Sequence, residues 1–353
     1  MEPVRLGVVG CGVIGNVHLA SAAEAAGSIR VVAVADLIEE RAATAAAKYA
    51  IPRRYRSGAE LCEKDSEVEM VVLAFPVAKR TAEGLRAFRH GKHLLTEKPV
   101  AMNAAEVRQL IAARGKLTGG CCQSRFRFCG HAEAAAKFIA TGALGDLRLV
   151  RARELRPAGG PPTGTPPTWR LRTCENGGGI LMNWGCYDLD YVLGITGWSL
   201  RPQEVLAQTW TVPPSIVSHL PSDSDAETHF AAMIRCEGGA AISFERGEYM
   251  PSAADEAWQI IGAKGSLRLK MTPGKGKTVI HDELTSDKGV VSHTIWQGDE
   301  EYVAGPALLT DFAHAVREHR QPLASLEQAL LVQEISDAIY HSARAGTAVK
   351  IGR

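Results

Sequence analysis

Two stretches hold side chains that could move a proton: "TEKPV" at 96–100, with Glu97 and Lys98, and "GGGILMNWGCYDLD" at 177–190, with Asn183, Tyr187 and Asp190. A lysine leaving the C-terminal end of a parallel strand points into the crevice where open α/β sheets bind ligands. There its ammonium could steady a developing alkoxide or itself take a proton. On a helical wheel turning about 100° per residue, Asn183, Tyr187 and Asp190 fall within an arc of roughly 60°. Leu181, Gly185, Leu189, Val192 and Leu193 share the far side. Such a helix is either a surface helix with its polar stripe in water or the wall of a site, and the rest of the chain favours the wall, with the stripe toward the cofactor. Asn183 could orient a hydroxyl but cannot ionise, whereas the Tyr187 phenol can donate or accept.

Chemistry at these positions needs an element to present a cofactor, and the first third of the chain supplies one. The β-branched runs "VRLGVVG", "IRVVAVAD", "EMVVLAF", "KHLLTE" and "LTGGCCQ" alternate with Ala-rich helical segments. That alternation predicts a parallel sheet covered by helices, the doubly wound Rossmann arrangement. The first run ends in G-x-G-x-x-G, with Gly10, Gly12 and Gly15 around Cys11, Val13 and Ile14, and a helix can follow. Gly10 allows the tight turn, Gly12 lets backbone N–H groups approach a pyrophosphate, and Gly15 allows close helix-to-strand contact. Asp36 ends the second run, where a carboxylate accepts hydrogen bonds from the adenosine ribose diol and repels a 2′-phosphate. NAD is therefore favoured, and NADP less so.

A chain of 353 residues suggests two domains. Forty basic against thirty-nine acidic side chains give a formal charge of +1, so no global field recruits nucleic acid or an anionic membrane. The eight cysteines are scattered without zinc-like spacing and read as reduced thiols, and no metal site is expected. "MEPVRLGVVG" enters a strand-like run at once, and no stretch reaches transmembrane length, so neither a signal peptide nor a span is expected and a cytoplasmic location is. His18, His131 and His229 read as surface residues of helices or strands.

From about residue 124 the rhythm changes. A helix, "HAEAAAKFIATG", precedes strand-like runs from "DLRLVRARELR" to "KTVIHDEL" without long helices between them, which predicts an α+β domain with a mostly antiparallel sheet. The expected boundaries are 1–123 for the nucleotide domain and 124–353 for a substrate domain, whose C-terminal helix could pack back on the first. Trp169 is a candidate platform for a sugar ring, with an ordinary buried indole as the equal alternative. Arg125, Arg127, Arg170 and Arg172 could bind hydroxyls, a carboxylate or phosphates.

With "EKP", the ordered motifs resemble the Gfo/Idh/MocA family of NAD(P)-dependent oxidoreductases. The further motifs are "RF" (Arg127, Phe128), "TGALGDLRLVRA", "WR" (Trp169, Arg170), the glycine-led helix, "IIGAKGSLRL" and one long last helix from "LLTDFAHAV" to "HSARAG". The resemblance implies a hydride transfer between nicotinamide and a hydroxyl or carbonyl of a sugar, polyol or inositol-like substrate. It implies Lys98 and Tyr187 as catalytic groups, a cis Lys98–Pro99 bond, and Asn183, Asp190, Trp169, Arg170 and Arg127 as substrate contacts. Gly10, Gly12, Val13, Ile14, Gly15, Asp36, Pro76, Glu97 and Lys98 are the implied cofactor contacts, and a homodimer or tetramer the implied assembly. Two departures matter. Asn183 and Tyr187 stand where the family's motif has an acid and a histidine, and Val77 and Arg80 replace a polar pair after the fourth strand. An NAD-retaining enzyme that cleaves glycosides through transient oxidation, and a non-catalytic dinucleotide sensor, are the alternative readings.

Overall fold

A computed structural model describes residues 2–164, 167–300 and 304–352. The chain forms two compact units, Met1–Arg125 with Val303–Leu330, and Phe126–Tyr302 with Leu331–Arg353.

The first unit is a six-stranded parallel sheet in the order β3-β2-β1-β4-β5-β6. Its strands are β1 (Val4–Val9), β2 (Ile29–Ala35), β3 (Arg53–Tyr55), β4 (Met70–Leu73), β5 (His93–Thr96) and β6 (Gly119–Cys121). The sequence reading held five of them. It missed β3, whose Arg-Arg-Tyr lacks a β-branched residue and which pairs only at the sheet's edge. The central strands are buried on both faces, as a sheet covered on both sides requires. Helices α1 (Val13–Glu24), α2 (Glu39–Lys48), α3 (Gly58–Lys64), α4 (Arg80–Arg89) and α5 (Ala104–Arg114) connect them. Ser57 and Asn103 cap α3 and α5 by accepting the N–H of Glu60 and Glu106, both at 3.1 Å.

The second unit is a nine-stranded sheet in the order β14-β13-β12-β11-β7-β10-β9-β8-β15, antiparallel except where β10 runs parallel to β7. Its strands are β7 (Leu147–Pro157), β8 (Pro202–Trp210), β9 (His229–Cys236), β10 (Ala241–Met250), β11 (Asp255–Gly262), β12 (Gly265–Arg268), β13 (Lys277–Thr285), β14 (Gly289–Gly298) and β15 (Val349–Lys350). Alternation along β7, β9 and β10 puts Val150, Ala152, Phe230, Ile234, Ile242 and Phe244 on one buried face. The helices of this unit are α6 (Gly130–Ala140), the short α7 (Thr173–Asn176), α8 (Cys186–Ile195) and, from Leu331 onward, the helix Leu326–Ala345.

The single last helix of the sequence reading is two helices, α9 (Ala304–Glu318) and α10 (Leu326–Ala345). His319 takes a left-handed backbone, φ +53°, and Pro322 cannot continue a helical hydrogen-bond ladder. Ser325 then starts α10 by accepting the N–H of Gln328. Among the described residues, no helix is long and apolar enough to cross a membrane. The eight cysteines are free, and all but Cys174 are buried.

Candidate active site

In the first unit the glycine turn meets its geometric requirements. Gly10 has φ +94°, and a Cβ there would stand 2.5 Å from the Ala74 carbonyl oxygen. A Cβ on Gly15 would stand 1.8 Å from the Gly10 oxygen, whereas one on Gly12 would meet nothing within 4 Å. The backbone at Gly12, where α1 begins, is thus open to a ligand, and the helix N-terminus beside it favours anionic groups. Val13 is exposed, Ile14 half-buried, and Pro76 exposed ahead of a short turn at Val77–Lys79. Asp36 ties the turn to β2, its two oxygens accepting the N–H groups of Cys11 at 2.7 Å and Ile38 at 2.8 Å. Each carboxylate oxygen keeps lone-pair capacity for a ribose hydroxyl. These features fit a dinucleotide.

At the end of β5, Lys98 is half-buried and its bond to Pro99 is cis. Glu97 beside it is fully enclosed. One of its oxygens accepts from His18 Nε2 at 2.8 Å and from Arg125, and the other from the Lys98 N–H at 3.1 Å. Burial alone would raise the Glu97 carboxyl, but Arg125, His18 and Arg80 outweigh it and hold the group well below the usual range. His18 is therefore a buried partner of Glu97 and not a surface residue. His131 is buried too, between Glu300 and the Met271 carbonyl, while His229 is half-buried beside Glu245. Spacing of single histidines held no signal for any of this. Ligand-type atoms of His18, Glu97 and Cys122 lie within 4.8 Å of one another, as do those of Cys129, His131 and Glu300. In the first group Arg125 already pairs with Glu97. In the second, Glu300 accepts the N–H groups of Gly130 and His131 at the start of α6.

In the second unit the glycine run is required by contact. Gly177 closes α7 with φ +78°. A Cβ on Gly178 would fall 1.9 Å from the Tyr340 hydroxyl, and one on Gly179 would fall 1.7 Å from the Glu227 carbonyl oxygen. Glu227 caps the helix that follows, accepting the N–H groups of Gly179 at 2.8 Å and Leu181 at 3.0 Å and the Tyr340 hydroxyl at 2.9 Å. Burial raises its carboxyl against the lowering by those bonds.

The helix opens with a π turn, Leu181–Gly185, and continues as α8. A uniform 100° wheel therefore misplaces Asn183 relative to Tyr187 and Asp190, because a π turn widens the spacing. Nor does a polar stripe face water: Asn183 (8 % exposed), Tyr187 (4 %) and Asp190 (1 %) are buried along with the apolar side. Gly185 brings the backbone near Phe244 and Phe230 of the sheet. Tyr187 packs edge-on to Phe126, ring centroids 4.9 Å apart, and lies 5.6 Å from Trp184.

The structure pairs two of the expected substrate contacts with each other, since Arg127 Nε donates to Asp190 Oδ1 at 2.6 Å. Arg170 pairs with Glu248, Arg125 with Glu97, and Arg172 with Glu175 and Asp223. Trp169 is half-buried in a short 3₁₀ turn, Thr168–Leu171. Sequence reasoning missed a buried charge cluster at Asp188, the residue after Tyr187. Arg246 donates through Nη1 to both oxygens of Asp188, at 3.1 and 3.2 Å, and to Glu154 at 2.9 Å. Arg156 also binds Glu154, and both guanidiniums lie near the Trp184 ring, at 4.7 Å for Arg246 and 5.6 Å for Arg156. Burial pushes the Asp188 carboxyl up to about 7, with Arg246 opposing and Glu154 adding to the rise. Alternation along β7 and β10 faces Glu154 and Arg246 inward, and that inward charge was the signal available in the sequence.

A parallel sheet whose first strand runs into a glycine turn, with a carboxylate at the end of the second strand, is the arrangement of a dinucleotide-binding unit. Residues 4–120 match the oxidoreductase family model with the NAD-binding Rossmann fold, and residues 132–268 match the Gfo/Idh/MocA C-terminal domain. The chain belongs to the Gfo/Idh/MocA family. It is similar to the trans-1,2-dihydrobenzene-1,2-diol dehydrogenase of Xenopus laevis, 34% identical over 182 residues. That match spans 51% of this chain and about half, 52%, of the frog enzyme. The Mus musculus dehydrogenase of the same name is 26% identical over 345 residues, 94% of each chain. Levoglucosan dehydrogenase solved with NADH and L-sorbose shares the fold, with a TM-score of 0.85 over 100% of both chains at 20% identity.

Proposed function

We propose that the protein is an NAD-dependent dehydrogenase or reductase of an uncharged vicinal diol, that is a sugar, polyol or inositol-like ring, with Lys98 and Tyr187 handling the proton. The observation that carries the substrate class is the engagement of the arginines. Arg127 meets Asp190, Arg170 meets Glu248, and Arg156 and Arg246 share Glu154, so each guanidinium already holds a carboxylate of its own unit that an acidic substrate would have to compete with. The relatives' names, a dihydrodiol dehydrogenase and a levoglucosan dehydrogenase, support the same class. When bound, the nicotinamide accepts or returns the hydride. Lys98 would hold the substrate oxygen as negative charge develops on it, and Tyr187 would give that oxygen a proton as the phenol in reduction or take one as the phenolate in oxidation. Asn183 would orient a second hydroxyl, and Asp36 would select NAD through the adenosine ribose.

Mixing the protein with NAD and a panel of neutral sugars, inositols and cyclic trans-diols, together with sugar acids and sugar phosphates, tests this by near-ultraviolet absorbance. Net NADH with neutral members is the expected result. Preference for acidic members would overturn the substrate class, and bond cleavage without net NADH would replace the dehydrogenase with a redox-assisted lyase.

A further inference from the structure

Arg80 enters the sequence only as a departure, a cation where related chains carry a polar residue, and the structure gives it a task. It is the first residue of α4 and is 5 % exposed. Its Nε donates to the Phe75 carbonyl just beyond β4, and its Nη1 donates to the carbonyls of Glu97 and Pro99, both at 2.6 Å. Those last two carbonyls stand on either side of Lys98. The Glu97 side chain, fixed by His18 and Arg125, accepts the Lys98 N–H. A guanidinium is a rigid plane of donors, so it can gather three carbonyls at set angles, which a flexible ammonium cannot do. Buried carbonyls left without those donors would have to find new partners by moving.

We propose that Arg80 is a positioning residue for Lys98: its guanidinium ties the turn after β4 to the two carbonyls that bracket the lysine, and so sets where the ammonium stands. This rests on the reading of Lys98 as catalytic. Because a misplacement of about 1 Å can cost roughly 10² in rate, a clamp of this kind acts on turnover more than on binding.

The test compares Arg80→Met, Arg80→Lys and Lys98→Met, using the panel compound with the fastest turnover, NADH titration by fluorescence, and crystal structures of the two Arg80 variants. Arg80→Met is expected to lower kcat by about 10²-fold while KM and NADH affinity stay within about threefold, and to displace the Lys98 ammonium by about 1 Å. Arg80→Lys keeps a donor for the Glu97 and Pro99 carbonyls and is expected to recover part of the loss, remaining about tenfold below the parent. Should Arg80→Met not fold, the Arg80→Lys kcat decides alone, and parental turnover overturns the proposal. A silent Lys98→Met would sink the catalytic reading and the clamp together. If Lys98→Met is inactive, three results overturn the clamp and leave Lys98 standing: normal kcat in Arg80→Met, equal losses in kcat and NADH affinity, or an unmoved Lys98.

Discussion

Gly15 and Gly179 face almost the same constraint in different units: a Cβ would lie 1.8 Å from a carbonyl oxygen at the first and 1.7 Å at the second. At Gly15 that oxygen belongs to Gly10, within the same turn. At Gly179 it belongs to Glu227, 48 residues further along the chain. The charges divide in the same way. Asp36 is held by the backbone of the adjoining turn and of the next residues, whereas Asp188 is held by Arg246 and, through it, by Glu154, on two strands of the sheet. The crowding at Gly15 thus arises within its own turn, although Gly10 of the same turn abuts Ala74 and Asp36 reaches back to Cys11. At Gly179 and Asp188 the constraints are tertiary, free to differ wherever the substrate differs.

That contrast can be broken by the two glycines first. Gly15→Ala forces a side chain into the turn and is expected to abolish NADH binding. Gly179→Ala is expected to abolish turnover and destabilise the second unit by more than about 4 kcal/mol, while NADH still binds. Fluorescence titration and thermal melts report both, and equal loss of NADH binding in the two variants would erase the distinction. Asp36 gives a smaller effect: NADH should bind at least about tenfold more tightly than NADPH, about 1.4 kcal/mol, and Asp36→Ala should narrow the gap. Calorimetry showing equal affinities for the two cofactors in the parent protein would move the selection elsewhere.

Asp188 gives the smallest effect, a slope. Its folded carboxyl is raised to about 7 from an ordinary 3.8, so the protonated form suits the fold better. Its contribution to stability is fully present below about pH 4 and is lost as pH rises through about 7. Asp188→Asn removes that dependence, so Tm of the variant relative to the parent should climb between pH 4 and 7 and then level off. A difference that stays flat across that range would show that Arg246 keeps Asp188 ionised.

What the sequence made legible follows the same division. Gly10, Gly12, Gly15, Asp36 and the strand leading to Lys98 sit in short windows where strand, turn and helix signals adjoin, and five of the six parallel strands carry their own apolar run. The glycine-led helix was legible as a helix but not as a buried one. Its neutral stripe of Asn183 and Tyr187 looks the same against water as against Phe126 and Trp184, and its π turn leaves no mark in residue type. The partners of Asp188 and Glu227 lie across sheet pairings that a single chain does not announce. His18 reads as a surface residue because its partner Glu97 lies 79 residues further along the chain, and Arg80 stands out only as a departure because nothing in its own helix marks the Glu97 and Pro99 carbonyls it binds.

The proposed reaction has Lys98 and Tyr187 serving one proton transfer on a neutral diol. Single-turnover reduction or oxidation of the best panel substrate by Tyr187→Phe, Lys98→Met and the double variant tests it most directly, with NADH affinity measured alongside. Each single change should lower the rate by roughly 10² to 10⁴ with cofactor binding retained, and the double variant should be little worse than the poorer single one. Near-parental rates for Tyr187→Phe, or losses that multiply in the double variant, would contradict it.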